Sequence, residues 1–445
     1  MQFDKDSKEV KDNETRQVTT LSSPSIPINR HHPIKVISLF SGCGGMDLGF
    51  EGGFITHSKS VYSKPEWVSD RVDEQWVKLN PNKFEIIFAN DILREAAMTW
   101  TYNMAKYGYS PDMYRTESIV NLVKQHMISG DVFPEQVDIV IGGFPCQDFS
   151  VAGKRQGFDS HRTHDGALRT DNQPSEETRG KLYYWMKRVI DITKPKMFIA
   201  ENVKGLANLG DIKNVIQSDF ASADNDGYIV LPPQILHAGN YGVPESRERV
   251  FFIGIRRSSL HQGIAEVLLS NNIPQELYPY PQPTHNCTLD ISGLLPPVVL
   301  GDIFKGLPEP NDSNDPSHRF YSKAKFMGSH CQGQREVALT KIGPTIRSEH
   351  HGNIEYRRLS LEHGGMHTNE LAQGLEERRL TPRECALIQT FPPDYKFVIP
   401  IQGSASRFKV SASGAYKVIG NAVPPLLAYH IAKRIEELWP IYFKE

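Results

Sequence analysis

Residues 34–50 read IKVISLFSGCGGMDLGF, and this stretch decides the fold class. The run IKVISLF is apolar and rich in β-branched residues, which predicts a buried strand ending near Phe40. A glycine turn, SGCGG, follows it, and MDLGF then begins a helix. A strand, a glycine turn and a helix in this order open a doubly wound α/β sheet. The glycines would let a ligand approach the backbone, but an ordinary tight turn would need them too, because the GxGxxG pattern is not met.

Further apolar runs predict the rest of the sheet. They are EIIFAND at 85–91, VDIVIGG at 137–143, MFIAENV at 197–203 and RVFFIGI at 249–255, with the helical stretch KLYYWMKRVIDIT at 181–193. Because strands alternate with helices, we predict a largely parallel sheet with both faces covered. Asp91 ends the second strand, where it would suit a ribose-binding acid or, equally, a helix cap. It follows the glycine turn by far more than the usual ~20 residues, so we expect a solvated insertion between them.

Local composition divides the chain into four parts. Residues 1–33 are polar and charged, which predicts a disordered tail. We expect residues 34–257 to form the α/β domain. Residues 258–378 lose regular periodicity and are rich in proline, asparagine and histidine, which indicates an inserted, loop-rich module. Helical spacing returns in residues 379–445, and we expect this segment to pack back on the first domain.

Composition excludes several classes of protein. The chain has 445 residues, a formal net charge of −2, 39% hydrophobic and 23% charged residues, as in a soluble globular protein. No apolar run is long enough for a membrane span, and the charged N-terminus lacks a signal core. Five scattered cysteines without metal-finger spacing suit a reducing cytoplasm and predict no metal site. The net charge itself gives no indication of nucleic acid.

Cysteine 146 lies in GGFPCQDFS, at 142–150, directly behind an apolar run. Two glycines and a proline end the strand and place Cys146 on a loop at the sheet's ligand-binding edge. There its thiolate could be a nucleophile, although an arbitrary cysteine is more often a half-buried, inert thiol. Glu201 in AENVKGL ends the neighbouring strand at the same edge, where its carboxyl group could handle a substrate proton and Asn202 could orient it.

Two arginines precede the last predicted strand in GVPESRERVFFIGI, at 242–255. A period of two places Arg247 and Arg249 on one face, where their guanidinium groups suit carbonyl or phosphate acceptors. A surface ladder of ion pairs is the alternative. A thiolate, a carboxyl group and an arginine beside a methyl donor are what methylation of cytosine carbon 5 requires. That carbon is unreactive until a nucleophile adds to carbon 6, and the base must leave the duplex to reach them.

These motifs, in this order, resemble those of the C5-cytosine-specific DNA methyltransferases of bacterial restriction–modification systems. FSGCGG resembles the family's cofactor loop, GGFPCQDFS its nucleophile motif, and ENV and RER its glutamate and arginine motifs. RRLTPRECALIQTFPPDY and YKVIGNAVPP resemble its two closing motifs. The resemblance covers about 34–257 and 378–440. It implies an S-adenosylmethionine-dependent, Rossmann-like α/β fold in which residues 258–378 form a target recognition domain that reads double-stranded DNA.

Roles follow from the resemblance by position. Cys146 would attack carbon 6 of cytosine, Glu201 would contact N3 and the exocyclic amine, and Arg249 would hold O2. Arg247 would support the catalytic loop. The residues implied for the S-adenosylmethionine pocket are Phe40 (against the adenine), Gly42, Cys43, Gly44, Gly45, Asp91, Ile92, Ser118, Pro145, Asn421 and Ala422.

DNA contacts are expected from two parts of the chain. Those after the nucleophile are Gln147, Ser150, Lys154 and Arg155, and those in IGPTIRSEHHGNIEYRRL, at 342–359, are Arg347 and Arg357, with His350, His351 and Arg358 in the same cluster. An extra stretch at 160–179 carries His161, Arg162, His164 and Arg169, which we expect to touch phosphate. Three positions depart from the family pattern: Glu245 replaces a glutamine, Ile92 a tryptophan and Ser118 an aspartate.

Two other functions remain open. A relative of this family modifies transfer RNA with the same thiolate chemistry, but a long variable insert favours duplex DNA. A DNA-binding regulator without catalysis would not need Cys146, Glu201 and Arg249 together. The resemblance implies no obligate protein partner, no membrane and a cytoplasmic, bacterial location on DNA, and it allows for a restriction endonuclease encoded beside this chain.

Overall fold

The computed structural model describes residues 32–145, 182–207, 211–348, 353–404 and 406–444. Several predictions lie outside these residues: nearly all of the tail 1–33, Cys146, Gln147, Ser150, Lys154, Arg155, the stretch 160–179, His350 and His351.

Strands and helices alternate through the first part of the described chain. The strands are β1 (Ile34–Leu39), β2 (Ile55–His57), β3 (Val68–Arg71), β4 (Trp76–Leu79), β5 (Phe84–Asn90), β6 (Tyr114–Arg115), β7 (Ile139–Gly143), β8 (Met197–Val203), β9 (Tyr228–Val230), β10 (Gln234–His237), β11 (Glu248–Arg256), β12 (Tyr356–Arg358), β13 (Arg378–Arg379), β14 (Ile399–Pro400) and β15 (Phe408–Val410). The α-helices are α1 (Gly45–Glu51), α2 (Arg94–Met104), α3 (Ile119–Ser129), α4 (Leu182–Thr193), α5 (Lys204–Ala207), α6 (Ile212–Ala221), α7 (Ile264–Leu269), α8 (Leu300–Phe304), α9 (Pro316–Arg319), α10 (Thr368–Ala372), α11 (Pro382–Ile388), α12 (Ala412–Asn421) and α13 (Pro425–Tyr442).

A central sheet has the strand order β10-β11-β8-β7-β1-β5-β6, with β9 also paired to β11. Strands β6, β5, β1, β7 and β8 are mutually parallel, which confirms the predicted α/β class. Strand β11 runs antiparallel to β8, β9 and β10, a feature that the sequence patterns did not predict. The parallel strands end together at one edge, so Phe40, Asp91 and Glu201 come near each other from distant parts of the chain.

Helices cover both faces of the sheet because neighbouring strand residues point to opposite sides. Val36 packs in a core with α1, α2 and α13, whereas Ile37 packs in a second core with α3, α4 and α6. The first core also contains Leu300 and Ile346 from the region 258–378 and Leu387 from the C-terminal segment. The C-terminal helix α13 lies along α1. The later parts of the chain therefore share a core with the α/β domain.

The insertion between the glycine turn and Asp91 is a small antiparallel sheet, in the order β2-β4-β3. We expected it to be solvated, but its inward-facing residues Val77 and Leu79 are buried. Trp67, at the start of β3, lies against the rings of Tyr429 and His430 on α13, with centroid distances of 5.3 and 4.7 Å. Packing against the C-terminal helix therefore makes this insertion part of the core.

The region 258–378 has little regular structure and is held by buried ion pairs. We call its central group the arginine–glutamate network: Arg357, Arg358, Arg378, Glu309, Glu370 and Glu384. Arg358 donates to Glu370 at 2.7 Å and to Glu309 at 2.8 Å, and Arg378 donates to Glu309 and Glu384, each at 2.9 Å. Three arginines face three glutamates, so the network balances its own charge.

Arg358 is the most buried member of the network, with 1% of its side chain exposed. We expect Arg358→Ala to lower the free energy of unfolding by about 3 kcal/mol, because Glu309 and Glu370 each lose one of their two arginine partners in a largely buried network. Urea denaturation would measure the change. Arg257→Ala, at an exposed position, is the control and should stay within about 0.5 kcal/mol. Equal stability of the two variants would contradict a structural role for the network.

The same ion pairs make the fold sensitive to acid. Burial alone would raise the pKa of Glu309 and of Glu370, but the arginines beside them outweigh it and hold both pKa values below the usual value. In mildly acidic solution the unfolded chain then binds more protons than the folded protein. The stabilisation by these ion pairs is therefore present above the ordinary glutamate pKa of about 4.5 and is lost as the pH falls through the lowered pKa values of Glu309 and Glu370. Urea midpoints measured from pH 7 to pH 3 should fall more steeply for the wild type than for Arg358→Ala.

Candidate active site

Three neighbouring strands bring the predicted catalytic residues to one edge of the sheet. Gly143 at the end of β7 lies opposite Glu201 in the parallel pairing with β8. Glu201 in turn lies opposite Phe251 in the antiparallel pairing of β8 with β11. Pro145 follows β7 by two residues and is half-buried, and Cys146 comes directly after it, outside the described residues. Cys146 thus follows, by three residues in the chain, the glycine that lies opposite Glu201.

Glu201 and Arg249 form a buried ion pair. The Nε of Arg249 lies 2.9 Å from Oε1 of Glu201, and only 13% and 9% of the two side chains are exposed. Burial raises the pKa of Glu201, and the charges of Arg249 and Arg247 offset this only in part. A carboxyl group with a raised pKa can hold a proton and donate it to a base. Nη1 of Arg249 donates to the carbonyl of Glu248 at 2.8 Å, which fixes the guanidinium plane.

The glycine at 143 makes room for this carboxylate. A Cβ atom placed on Gly143 would lie 2.6 Å from Oε2 of Glu201. A side chain at position 143 would therefore push the carboxylate of Glu201 away from the position in which Arg249 holds it. This glycine is thus explained by the site and not by the backbone turn alone.

Asn202 has a different partner from the expected one. We predicted that it would orient Glu201, but its Nδ2 donates to the carbonyl of Phe144 at 3.0 Å and its Oδ1 accepts from the backbone of Val203 at 2.9 Å. Asn202 therefore holds the backbone that leads into Pro145 and Cys146. The alternation of strand residues gives the reason, because neighbours on β8 point to opposite sides.

Arg247 is fully buried, although we predicted that it shares a face with Arg249. Its guanidinium donates to the carbonyls of Ile346 at 3.1 Å, Gly420 at 2.9 Å and Ala422 at 2.7 Å. Among the described residues it thus joins β11 to two distant segments. It is a positioning residue there, and its support of the loop after Cys146 stays a prediction.

Close protein contacts explain two of the glycines in the turn 41–45. A Cβ atom on Gly44 would lie 2.8 Å from the ring of Trp100, and one on Gly45 would lie 2.2 Å from the carbonyl of Val423. The sequence had left open whether these glycines leave space for a ligand or only allow a tight turn. Only Gly42 has open space at its Cβ position, with a φ of 56°. It follows Phe40, which has a φ of 52°, so the backbone turns sharply at the strand end.

Buried hydroxyl groups fix the carbonyls of this turn, a feature that the sequence patterns did not reveal. The hydroxyl of Tyr114 donates to the carbonyl of Gly42 at 2.9 Å, and that of Tyr395 donates to the carbonyl of Cys43 at 2.5 Å. The thiol of Cys43 points away from the turn, to the carbonyl of Val418 at 3.3 Å. Only the backbone of Cys43 could therefore face a cofactor.

A buried carboxyl group underlies the turn. Asp47 accepts from Ser38 at 2.5 Å and from the indole N–H of Trp100 at 2.6 Å. Burial raises its pKa to about 6, against the hydrogen bonds, which lower it. Ser41 donates to Ser38 at 2.8 Å and thereby connects the turn to this group. Asp47 was not among the predicted residues, because an acid inside a glycine motif gives no local signal of burial.

The predicted cofactor residues next to the turn fit a nucleoside with an aminoacyl chain. Asp91 accepts from the backbone of Gly42 at 3.1 Å and of Leu93 at 2.8 Å, and a carboxylate has further lone pairs for ribose hydroxyls. Beside it Ile92 is 44% exposed, an apolar side chain that a purine could cover. Half-buried Phe40 offers a second apolar surface.

The remaining predicted cofactor residues lie at two helix ends. Ser118 is buried and precedes α3 as its N-cap residue. Asn421 ends α12 with an exposed side chain, whereas Ala422 is buried and its carbonyl is held by Arg247. The close approach of Gly45 to Ala422 and Val423 places this helix end beside the glycine turn. The residues present therefore fit S-adenosylmethionine.

The two described candidates for DNA contact differ. Arg347 is 29% exposed at its side chain, pairs with Glu355 at 2.8 Å, and its backbone packs on Gly420. Arg357 is buried in the arginine–glutamate network, where it pairs with Glu370 at 2.7 Å. Its placement gives no support to a DNA contact. Arg358, from the same cluster, is buried in the same network.

The described residues contain neither a metal-binding cluster nor a membrane-spanning helix. No group of three or more histidine, cysteine or acidic side chains there could hold a metal ion. In the same residues, no helix is long and apolar enough to span a membrane.

Comparison with known proteins assigns the family. The model of the C-5 cytosine-specific DNA methylase family matches residues 34–437. Type II methyltransferase M.BsuRI of Bacillus subtilis is 31% identical over 429 residues, which cover 94% of this chain and 82% of that protein. Type II methyltransferase M.NgoPII of Neisseria gonorrhoeae is 28% identical over 428 residues, covering 92% and 96% of the two chains.

Solved structures show the same fold at low sequence identity. The Entamoeba histolytica methyltransferase EhMeth superposes with a TM-score of 0.52 at 13% identity, covering 93% of this chain and all of that one. The S. pombe Dnmt2 methyltransferase superposes with a TM-score of 0.50 at 16% identity, covering 91% and 99%. The family match extends over the glycine turn, Glu201, Arg249 and the closing helices, so the chain belongs to the C-5 cytosine-specific DNA methylases, enzymes that use S-adenosylmethionine to methylate carbon 5 of cytosine in DNA.

Proposed function

We propose that Cys146, Glu201 and Arg249 carry out this methylation on a cytosine flipped out of a duplex. The thiolate of Cys146 forms a bond to carbon 6 while Glu201 gives a proton to N3, which makes carbon 5 nucleophilic. Arg249 donates to O2 and holds the ring. S-adenosylmethionine, when bound, supplies an electrophilic methyl group. Once carbon 5 carries the methyl group, solvent takes the proton from carbon 5, the thiolate leaves carbon 6 and N3 returns its proton to Glu201, which restores the aromatic base.

The observation that carries this proposal is the Glu201–Arg249 pair beside Pro145. A proton donor and a fixed guanidinium lie at one sheet edge, and the residue after Pro145 is a cysteine. The raised pKa of Glu201 suits a group that must be protonated when it meets N3. A regulator without catalysis would gain nothing from burying this pair.

We propose that the cofactor lies against the glycine turn. Phe40 and Ile92 would cover the two faces of the adenine, Asp91 would accept from the ribose hydroxyls, and Asn421 would bind the aminoacyl end. Gly42 provides open backbone beside them. The buried hydroxyls of Tyr114 and Tyr395 keep the turn rigid without entering this space.

The curated relatives are named Type II methyltransferases, which suggests the biological role. We propose that the chain methylates a short specific duplex site and protects the DNA of a bacterial cytoplasm from a cognate restriction endonuclease. Gln147, Ser150, Lys154, Arg155 and Arg347 remain proposed DNA contacts. A transfer RNA substrate is the alternative.

One experiment tests the substrate and the nucleophile together. The protein, labelled S-adenosylmethionine and either duplex DNA or transfer RNA are incubated side by side, and bisulfite sequencing locates methylated cytosines. We expect label in DNA at one short site and none with Cys146→Ser. Label in transfer RNA alone would replace the proposed substrate, and full activity of Cys146→Ser would overturn the mechanism.

Substitution of Gly143 tests the geometry of the acid. We expect Gly143→Ala to lower kcat about 100-fold, because its Cβ displaces the carboxylate of Glu201 by up to an ångström. The free energy of unfolding should change by less than about 1 kcal/mol, since one side-chain end moves and no cavity forms. Single-turnover methyl transfer and urea denaturation measure the two quantities. Unchanged turnover would show that the carboxylate position is not critical.

A matched pair of substitutions tests the proton. Glu201→Gln keeps the shape and the hydrogen bond to Arg249 but has no acidic proton, so kcat should fall by about 10²–10⁴-fold. Glu248→Gln is the control, because this glutamate begins the adjacent strand β11, next to Arg249, and pairs with Lys204 at 2.8 Å. Its kcat should stay within about twofold of the wild type. Similar losses in both variants would argue against proton donation by Glu201.

A further inference from the structure

The segment 319–335, which we call the basic segment, has an unusual charge pattern. It contains Arg319, Lys323, Lys325 and Arg335, and residues 316–335 include no aspartate or glutamate. All four cationic side chains are exposed. None of them forms an ion pair within the part of the chain that the structure describes.

Nearby arginines behave differently. Arg347, Arg357 and Arg358 each face a carboxylate at 2.7–2.8 Å. The region therefore pairs its structural cations and leaves those of the basic segment open to solvent. Unpaired cations along one exposed segment are a typical surface for the phosphates of nucleic acid.

A short loop, residues 326–332, lies inside the basic segment, between Lys325 and Arg335. Met327 is 70% exposed, and Ser329, His330 and Gln332 are exposed beside it. These side chains offer an apolar surface, hydroxyl and imidazole groups, and an amide that can bond an adenine edge twice. They lie between Lys325 and Arg335, so a duplex bound by the cations would present its bases to them.

A single buried guanidinium holds both ends of this loop. Arg379 donates to the carbonyls of Ala324 at 2.9 Å, Lys325 at 3.2 Å and Gly333 at 2.8 Å, and also to that of Ile354. The ring of Tyr356 lies against this guanidinium, with the ring centroid 4.3 Å from Cζ of Arg379.

Another buried side chain closes the loop from within. The amide oxygen of Gln334, 2% exposed, accepts from the backbone of Met327 at 2.9 Å. With both ends fixed, the loop would lose little conformational entropy on binding, and such preorganisation favours specificity.

We propose that the loop 326–332 reads the bases of the target DNA site, while Lys323, Lys325 and Arg335 bind phosphates of the same duplex. This inference rests on the proposed function, since it names the specificity surface of that methyltransferase. The basic segment thus takes the place of the buried Arg357 as the proposed site of DNA contact. His330 and Gln332 bond base edges, and Met327 contacts a thymine methyl group or a base face.

Two double variants separate the two kinds of contact. Lys323→Ala with Lys325→Ala should weaken binding to every duplex and reduce the slope of log K against log salt by about 1.8, from two lost phosphate contacts. His330→Ala with Gln332→Ala should leave that slope unchanged. It should instead relax the preference for at least one base of the site by about tenfold or more.

The measurements use the full-length protein and a duplex library with a randomised window around one cytosine. Filter binding at several salt concentrations gives the slope, and bisulfite sequencing gives the site preference. Arg257→Ala is the control, because Arg257 is exposed and lies at the far end of β11, about 25 Å from Arg249. This variant should change neither the salt slope nor the site preference. All the substituted side chains are exposed, and urea denaturation would verify folding.

An unchanged salt slope in the lysine variant, or an unchanged site preference in the histidine–glutamine variant, would overturn the proposal. Failure of the proposed function looks different, because the wild type would then methylate no cytosine in the library. If the wild type methylates the library and both variants match it, only the assignment of the DNA-reading surface is wrong.

Discussion

The buried guanidinium of Arg247 is the interaction on which the rest of the site depends. Burial lowers its pKa to about 10, so it is still charged at neutral pH, and it is stabilised by three carbonyl oxygens and by Glu245. Its partners are Glu245, which lies just before strand β11, and the carbonyls of residues 346, 420 and 422. Removing the charge would leave these carbonyls unsatisfied. One side chain therefore connects the start of β11, the backbone at residue 346 and the helix end that carries Asn421.

Charge is used in three distinct ways across the molecule. In the arginine–glutamate network, equal numbers of opposite charges lie together, and they add to the apolar side chains that the region 258–378 contributes to the first core. At the sheet edge, Glu201 and Arg249 are buried as a single pair, with 9% and 13% of their side chains still exposed. In the basic segment the cations have no described carboxylate partner at all. Pairing, rather than the number of charged residues, thus distinguishes the arginines that are buried with carboxylates from the described cations that are open to solvent.

The sequence predicted most strands of the central sheet and the position of Glu201 at one sheet edge, because the strand ends of a parallel sheet must meet and Glu201 lies near one of them. It failed where the partner of a side chain lies far away in the chain. Arg357 next to histidines resembles a DNA contact locally, and only the approach of Glu370 shows that it is buried. The glycines at 44 and 45 also have a reason that no local pattern shows, because Trp100 and Val423 leave no room for a Cβ atom there. The antiparallel direction of β11 also has no local signal, since its alternation is that of any buried strand.

Glu245, which replaces the glutamine of the family pattern, can be understood from its contacts. Its Oε1 accepts from the backbone of Ile346 at 2.7 Å and faces Arg247, as the carbonyl oxygen of a glutamine would. Its Oε2 is buried without a hydrogen-bond partner among the described residues. Burial raises the pKa of this carboxyl group, and the charges of Arg247 and Arg249 oppose that rise. The acceptor role is therefore kept while the donor role is not, and the substitution is compatible with an intact Arg247 anchor.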